Sequence, residues 1–425
     1  MTRPRMVLVL LLAAAAPLPA AEGIEVGDER PLVPDVPGKA LQATPAAAFG
    51  DGVYLVVWRE GWHGEGGRAR LPAARVRPDG TVLDAEGIAV APRAAGVQER
   101  PRVAFGGGAF LVVWQELRDG KAYDVLGARI SPAGKVLDAD PILVAAGPGN
   151  QALPDVASDG DGFLVVWQGV VREEDVPTYY SFARPVSADA EPGEARRLGT
   201  YPRPMVAWNG EAYLVVVAQT LVGMRLAAGG EPMDEGPQTI VRNAGRRHRT
   251  RAVAGGRGRW FVIAERSQPD YWGWGGPGAI QCKLVTGEGT LAPDLAEYIR
   301  TLPGNERNTR KYKRYDDWLD VGEKKERRTW PYGPAAVAWD GRQYVAVWQR
   351  HHIERKVMFA NCDLVAARVS GWHSRDPAGV PVAASPAEEK WPALASDGKG
   401  GLLCAYERYG AEGGVRVVVR VLRTY

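Results

Sequence analysis

The sequence predicts an all-β fold: a seven-bladed β-propeller of four-stranded antiparallel blades, closed by an N-terminal strand that completes the last blade. Three observations predict it. One apolar motif recurs seven times along 425 residues. Each copy follows a glycine-rich turn. The motif is also apolar at consecutive positions, so the strand it forms must be covered on both faces.

The copies are VYLVVW (53–58), AFLVVW (109–114), GFLVVW (162–167), AYLVVV (212–217), RWFVIA (259–264), QYVAVW (343–348) and GLLCAY (401–406). Their last residues lie 56, 53, 50, 47, 84 and 58 apart, so only the fifth interval carries a large insertion. A regular period of this kind is the signature of a repeat architecture. The turns ahead of them include GDG (50–52), GGG (106–108), NGE (209–211) and DGR (340–342). Such turns supply the positive φ that a tight hairpin requires.

Each unit then resolves into four strands. Segments such as PRVAF (101–105), PDVAS (154–158), PMVAW (204–208) and PALAS (392–396) precede the turn, and Pro there suits the first residue of an edge strand. After the motif and a variable loop comes a third strand with a basic residue, as in ARV (74–76) or GARIS (127–131). A second tight turn, PDGTVLD (78–84) or PAGKVLD (132–138), leads to a fourth strand such as GIAVA (87–91) or PILVA (141–145). A single four-stranded sheet cannot cover both faces of its second strand. Seven sheets packed in a ring can. The last unit ends in VRVVVRVLRTY after its third strand, and its fourth is expected within IEVGDERPLVP (24–34).

The segment FLVVWQELRDGKAYDVLGARISPAGKVLDADPILVA (110–145) resembles the secreted bacterial propeller-like repeat proteins whose units read YLVVWQ…YDVYGARVSPDGTVLD. The resemblance is strong in units one to three and weaker in four, five and seven, where Val217 and Ala264 replace the Trp of units four and five. It implies a propeller fold and an exported location. Most such proteins have no known activity, so it implies no catalytic residue.

The N-terminus bears on location too. MTRPRMVLVLLLAAAAPLPAAEG places Arg3 and Arg5 before an apolar run, then small residues at Ala20 and Ala21. This reads as a signal peptide over residues 1–21, too short to anchor in a membrane, and it predicts a secreted or periplasmic protein. No Cys near the cleavage region favours lipid attachment, and no other stretch spans a bilayer. Residues 22–425 then form one propeller domain, with an inserted charged segment at about 301–333 between blades five and six. Formal net charge is +3, two positives of which leave with the leader, so nothing draws the chain to nucleic acid. Cys282, Cys362 and Cys404 allow one disulfide and one thiol, and the sequence does not choose the pair. A monomer is expected.

Antiparallel order sorts the connections. Both tight turns of each blade share one end of the ring. The second-to-third-strand loops and the blade-to-blade connections share the other, and they are long and irregular. Binding residues tend to sit on such loops. Candidate ligand-binding residues there are Trp62, His63, Tyr271, Trp272, Trp274, Trp318, His351 and His352. They come from the loops GWHGEGG (61–67), GVVREEDVPTYY (169–180), SQPDYWGWGGPG (267–278) and RHHIERKVMFANCD (350–363), and from the insertion. The aromatics either stack on sugar rings or anchor a protein partner, or they cap the blades or pack under the insertion. Residues 300–330 hold ten Lys or Arg against six acids, a mixture that predicts a solvated helix or flap.

Seven basic residues, Arg75, Arg129, Arg184, Arg225, Lys283, Arg368 and Arg420, recur in the third strands. They are expected to be structural, pairing with the polar residue that follows the motif, such as Gln115, Gln168, Gln349 or Glu407. Regular His and Cys spacing is absent, so neither a metal nor a cofactor is called for. Asp159–Gly162 has the flavour of a calcium loop but reads as a hairpin turn. Nucleophile-elbow, phosphate-loop and sialidase Asp-box motifs are missing, and no catalytic residue is assigned. The expected function is binding of a protein partner or a cell-surface glycan through the long-loop face. The alternative is a glycoside hydrolase or polysaccharide lyase using carboxylates there, among them Glu173, Glu174, Asp175, Asp270, Asp316 and Asp317.

Overall fold

The computed structural model describes residues 22–33, 41–61, 69–93, 96–118, 121–173, 176–200, 202–217, 222–239, 248–269, 275–288, 328–354, 357–370, 373–376, 378–410 and 414–425. They form a seven-bladed β-propeller. Blade one comprises Gln42–Gly50, Val53–Glu60, Pro72–Val76 and Ile88–Ala89. Blade two runs Val97–Gly106, Ala109–Arg118, Ala122–Ile130 and Ile142–Ala145, and blade three Gln151–Ser158, Phe163–Glu173, Val176–Val186 and Arg196–Gly199. Blade four holds Pro204–Trp208, Tyr213–Val217, Val222–Leu226 and Gln238–Thr239. Blade five shows three strands among the described residues, His248–Gly256, Arg259–Pro269 and Gly275–Val285. Blade six is built on Arg328–Trp339, Tyr344–Glu354 and Val357–Ser370, and blade seven on Glu388–Ser396, Gly401–Tyr409 and Val415–Thr424. Residues 328–332, expected within the insertion, therefore begin the first strand of blade six; the rest of the insertion and the leader lie outside the described residues. No helix among the described residues is long and apolar enough to cross a membrane.

The ring closes as the sequence predicts. Ile24–Val26 pairs antiparallel with Leu422–Thr424, and Arg30–Pro31 pairs with Val418 and Val419 of the same strand. The core is seven cores, one between each pair of neighbouring blades. Tyr54, Val56 and Trp58 pack with Leu403, Ala405 and Val417 of blade seven, while Leu55 and Val57 pack with Phe110, Val112 and Trp114 of blade two. Alternate residues of one strand thus serve two different interfaces, which is why the motif has no polar position. Trp58, Trp114 and Trp348 are fully buried and Trp167 nearly so. Burial of each such side chain contributes about 1.5–3 kcal/mol. Cys362 and Cys404 are buried among these residues, no disulfide joins them, and burial pushes both thiols up to about 12.

First strands of neighbouring blades pack on one another around the ring and so line the central channel. Proline does not open most of them. Thr44, Arg100, Leu153 and Trp391 have φ of 51°, 52°, 56° and 54°, each precedes a Pro, and the register shifts at each. These are bulges inside the strand, where a residue without an N–H leaves no ladder bond unmade. Arg203, φ 58°, precedes Pro204 in the same way. The polar residue after the motif caps the positive-φ residue that precedes the proline of the next blade. Gln115 Oε1 accepts the Leu153 N–H at 2.9 Å, Gln168 Oε1 that of Arg203 at 3.2 Å, Gln349 Oε1 that of Trp391 at 3.1 Å, and Glu407 Oε1 that of Thr44 at 2.7 Å.

These residues are therefore not the partners of the third-strand basic residues, which occupy two positions rather than one. Arg75, Arg129, Arg225 and Arg368 lie opposite Leu55, Leu111, Leu214 and Val345. Arg184, Lys283 and Arg420 lie opposite Val165, Val262 and Cys404, one residue earlier in the repeat and hence on the other face of the sheet. The first group grips the Asp that ends the second tight turn. Arg75 Nη2 and Nε donate to Asp84 at 2.8 and 2.9 Å, and Arg129, Arg225 and Arg368 hold Asp138, Asp234 and Asp376 likewise. Each Nη1 then reaches a neighbouring blade, to Pro132 O, Ala188 O, Gly287 O and Tyr425 O at 2.6–3.0 Å. A planar guanidinium fits two oxygens and a third acceptor at once.

The tight-turn end is packed with first-strand aromatics: Phe49, Phe105, Trp208 and Trp339 lie against Tyr54, Phe110, Tyr213 and Tyr344, with ring centroids 4.7–4.9 Å apart. A Cβ on Gly50 would lie 2.0 Å from the Phe105 ring. The turn Ser158–Gly162 is the expected hairpin, with Asp159 Oδ1 accepting the Asp161 and Gly162 N–H groups.

Candidate functional site

The long-connection end carries the candidate site, and the described parts of its loops in blades three, five and six are regular ladders rather than irregular loops. The segment 169–180 continues the ladder of blade three, with Gly169 paired to Tyr180 and on to Glu173 paired to Val176. The segment 350–363 does the same in blade six, from Arg350 opposite Asp363 to Glu354 opposite Val357. In blade five Gln268 and Pro269 pair with Gly276 and Gly275. The β-branched and aromatic residues of VVREEDVPTYY favour the pleated surface and extend the strands into a projecting ribbon.

Of the candidate residues, Trp62, His63, Tyr271, Trp272, Trp274 and Trp318 lie outside the described residues. His351 and His352 fall on the described backbone alone, opposite Cys362 and Asn361. Of the alternative carboxylates only Glu173 is described. It accepts the Tyr180 hydroxyl at 2.6 Å and lies 3.6 Å from Arg197, whose guanidinium sits 4.6 Å above the Tyr180 ring. That bond raises the Tyr180 pKa.

A cleft of about 580 Å³ opens between blades three and four beside the channel mouth. One wall is the ribbon, which presents Thr178 and Tyr179. Alternation sends Tyr180 to the other face, so Tyr179 is left 50% exposed to the cleft. The opposite wall is Thr200, Pro202 and Arg203, and the floor is Leu153 and Gln168. The Gln168–Arg203 cap thus sits in the cleft and fixes the backbone from which the Arg203 side chain extends.

Charge at this mouth is unbalanced. Arg100, Leu153 and Arg203 occupy equivalent positive-φ positions before a proline on blades two, three and four. Arg100 is exposed to the channel mouth. Protein atoms around it and the nearby charges of Arg102 and Arg203 lower its pKa. The two nearest acids are already engaged. Asp155 accepts the Val206 N–H at 2.9 Å and lies 3.5 Å from Arg102 Nε. Burial nonetheless raises its pKa, against the pull of Arg102. Glu99 accepts the Tyr123 hydroxyl at 2.8 Å and Gln115 Nε2 at 3.2 Å. Sequence reasoning passed over Arg100 and Arg203, although the Arg-Pro pairs at 100–101 and 203–204 mark the same place in two units.

Among the described residues no group of three or more His, Cys, Asp or Glu side chains is placed to hold a metal ion. No family model and no curated protein matches the chain. Among solved structures it is similar to a protein of unknown function from Dyadobacter fermentans, at 10% identity over 95% of this chain and 100% of that one, TM-score 0.47. It is similar at 12% identity to the Penicillium chrysogenum alpha-L-arabinanase complexed with arabinobiose, over 94% of this chain and 98% of that one, TM-score 0.48. It is also similar at 11% identity to the β-propeller domain of the Trilobed protease from Pyrococcus furiosus, over 90% of this chain and 93% of that one, TM-score 0.47. None of these proteins lends a residue role to this chain.

Proposed function

We propose that the protein is an exported, non-enzymatic propeller that binds a protein partner or a cell-surface glycan at the long-connection end. The observation that carries the reading is the lining of the cleft. Among the described residues it offers an exposed tyrosine, two threonines, an amide and an arginine, and no carboxylate. Such a wall supports recognition, since a concave site with a few placed polar groups is what a small ligand or an anchor side chain needs. Its described residues include no carboxylate pair of the kind that glycoside hydrolysis uses.

A second reading, a carbohydrate-active enzyme, draws on Asp155, whose raised pKa suits a proton donor. Its oxygens are held by Val206 N–H and Arg102, which weighs against that role. The test is a glycan array and a pull-down with the chain from residue 22, repeated after deleting 303–327, which leaves the first strand of blade six whole. Specific capture that survives Asp155→Asn supports binding. Release of reducing ends from a polysaccharide, abolished by Asp155→Asn, replaces it with the enzyme. No capture on either assay removes the binding reading.

A further inference from the structure

The inference deepens the proposed reading and rests on it. Two guanidiniums at the channel mouth, Arg100 and Arg203, have neither a hydrogen bond nor an ion pair from their side chains among the described residues. By contrast Arg75, Arg129, Arg225 and Arg368 are each forked onto an aspartate. Of the acids near them, Asp155 lies 3.5 Å from Arg102 and Glu99 3.9 Å from Arg59, so each already faces another arginine. A fixed backbone holds each of them: φ is positive at both, in a bulge at Arg100 and just ahead of the blade-four strand at Arg203, and Gln168 caps the Arg203 N–H. Unpaired, pre-positioned guanidiniums at a concave site bind planar anions, because a fork of N–H donors matches a carboxylate.

We infer that the cleft between blades three and four takes an acidic oligosaccharide, with Arg203 and Arg100 receiving uronate carboxylates and Tyr179 lying against a sugar ring. The volume of about 580 Å³ suits a few linked rings rather than a broad protein footprint. Thr178, Thr200 and Gln168 supply hydroxyl and amide groups of the kind that meet sugar hydroxyls. Tyr179 offers an aromatic face at the rim, half open to solvent. An acidic peptide would satisfy the arginines but would leave that ring face without its natural counterpart.

The test is calorimetric titration of the chain from residue 22 with tetragalacturonate and tetramannuronate, with the methyl ester of the former and hexaglutamate alongside. At least one uronate tetramer binds, and its affinity falls as salt is raised. The ester binds at least about tenfold more weakly, and Arg203→Gln and Arg100→Gln each lose about tenfold or more. Arg203→Lys keeps part of the affinity. Arg197→Gln, on the far face of the ribbon, stays within about twofold. Hydrogen exchange slows over 176–203 in the complex. Both glutamine variants must unfold at the parent's midpoint; if one does not, the lysine variant and the ester carry the test. Equal binding of the ester, tighter binding of hexaglutamate, or an Arg203→Gln variant that binds like the parent overturns the inference and leaves the binding reading standing. Silent tetramers beside a positive glycan array or pull-down do the same. Silence of the tetramers, the array and the pull-down together removes both.

Discussion

Arg129 holds Asp138 through Nη2 at 2.8 Å and at the same time donates Nη1 to Ala188 O of the next blade at 2.6 Å. One side chain thereby fastens a tight turn to its own strand and that strand to its neighbour. Gly134, φ 85°, belongs to the turn beside it, and a Cβ there would lie 2.7 Å from Arg75 Nε of blade one. The same fork recurs at Arg75, Arg225 and Arg368, so it is a repeat feature of the outer wall rather than an anion site.

Removal of one partner should therefore cost more than an exposed ion pair does. Both Arg129 and Asp138 are less than one-fifth exposed. Asp138→Ala leaves a guanidinium with half its partners and is expected to lower unfolding free energy by about 1–3 kcal/mol in urea titration. A double-mutant cycle with Arg129→Ala should show coupling, and additive losses would disprove the fork.

Gln168→Ala removes the cap on the Arg203 N–H. The expected loss is about 1 kcal/mol, with faster exchange of the Arg203 amide than of amides in blade one. Uniform change across the ring would place the effect elsewhere.

Gly50→Ala drives a methyl group into the Phe105 ring, and the ring cannot retreat because it lies 4.9 Å from Phe110. Overpacking of this kind costs about 1–3 kcal/mol or more. Thermal unfolding of this variant and of Gly50→Ala with Phe105→Leu checks it, since the second change should restore part of the loss.

Stability should fall as pH rises from about 4.5 to 7. Burial raises Glu389 to about 7, with Asp363 and Glu29 nearby adding to the shift and Ser385 opposing it. The folded chain then holds a proton that the unfolded chain has released, so stability is greatest below the ordinary carboxyl range and is lost up to about pH 7. Glu407 and Asp155, also raised by burial, add in the same direction. Glu389→Gln keeps the shape and removes the titration, so its stability curve over this interval should be flatter. An identical curve for parent and variant would remove Glu389 from the account.

Much of the ring is legible in the chain because its physics is local. A strand with Tyr54, Val56 and Trp58 on one face and Leu55 and Val57 on the other has no solvent side, and seven such strands leave few arrangements. Pairing of Ile24–Val26 with the last strand follows from the same count. The Asp of each fork was legible too, eight or nine residues after its Arg in TVLD and KVLD, yet a run of basic residues hid the fact that Arg184, Lys283 and Arg420 are one position out of register. Sequence alignment does not see a sheet face; a one-residue offset does.

The seven hydrophobic interfaces and the closing strand were thus determined by the order of residues alone, since burial and alternation act along a few neighbours. Which arginines stand without a partner was decided only in three dimensions. Arg100 and Arg203 lie 103 positions apart in the chain. They share one mouth because blades two and four curve toward a common axis, and whether a charge is neutralised depends on every group within reach, not on those beside it in the chain.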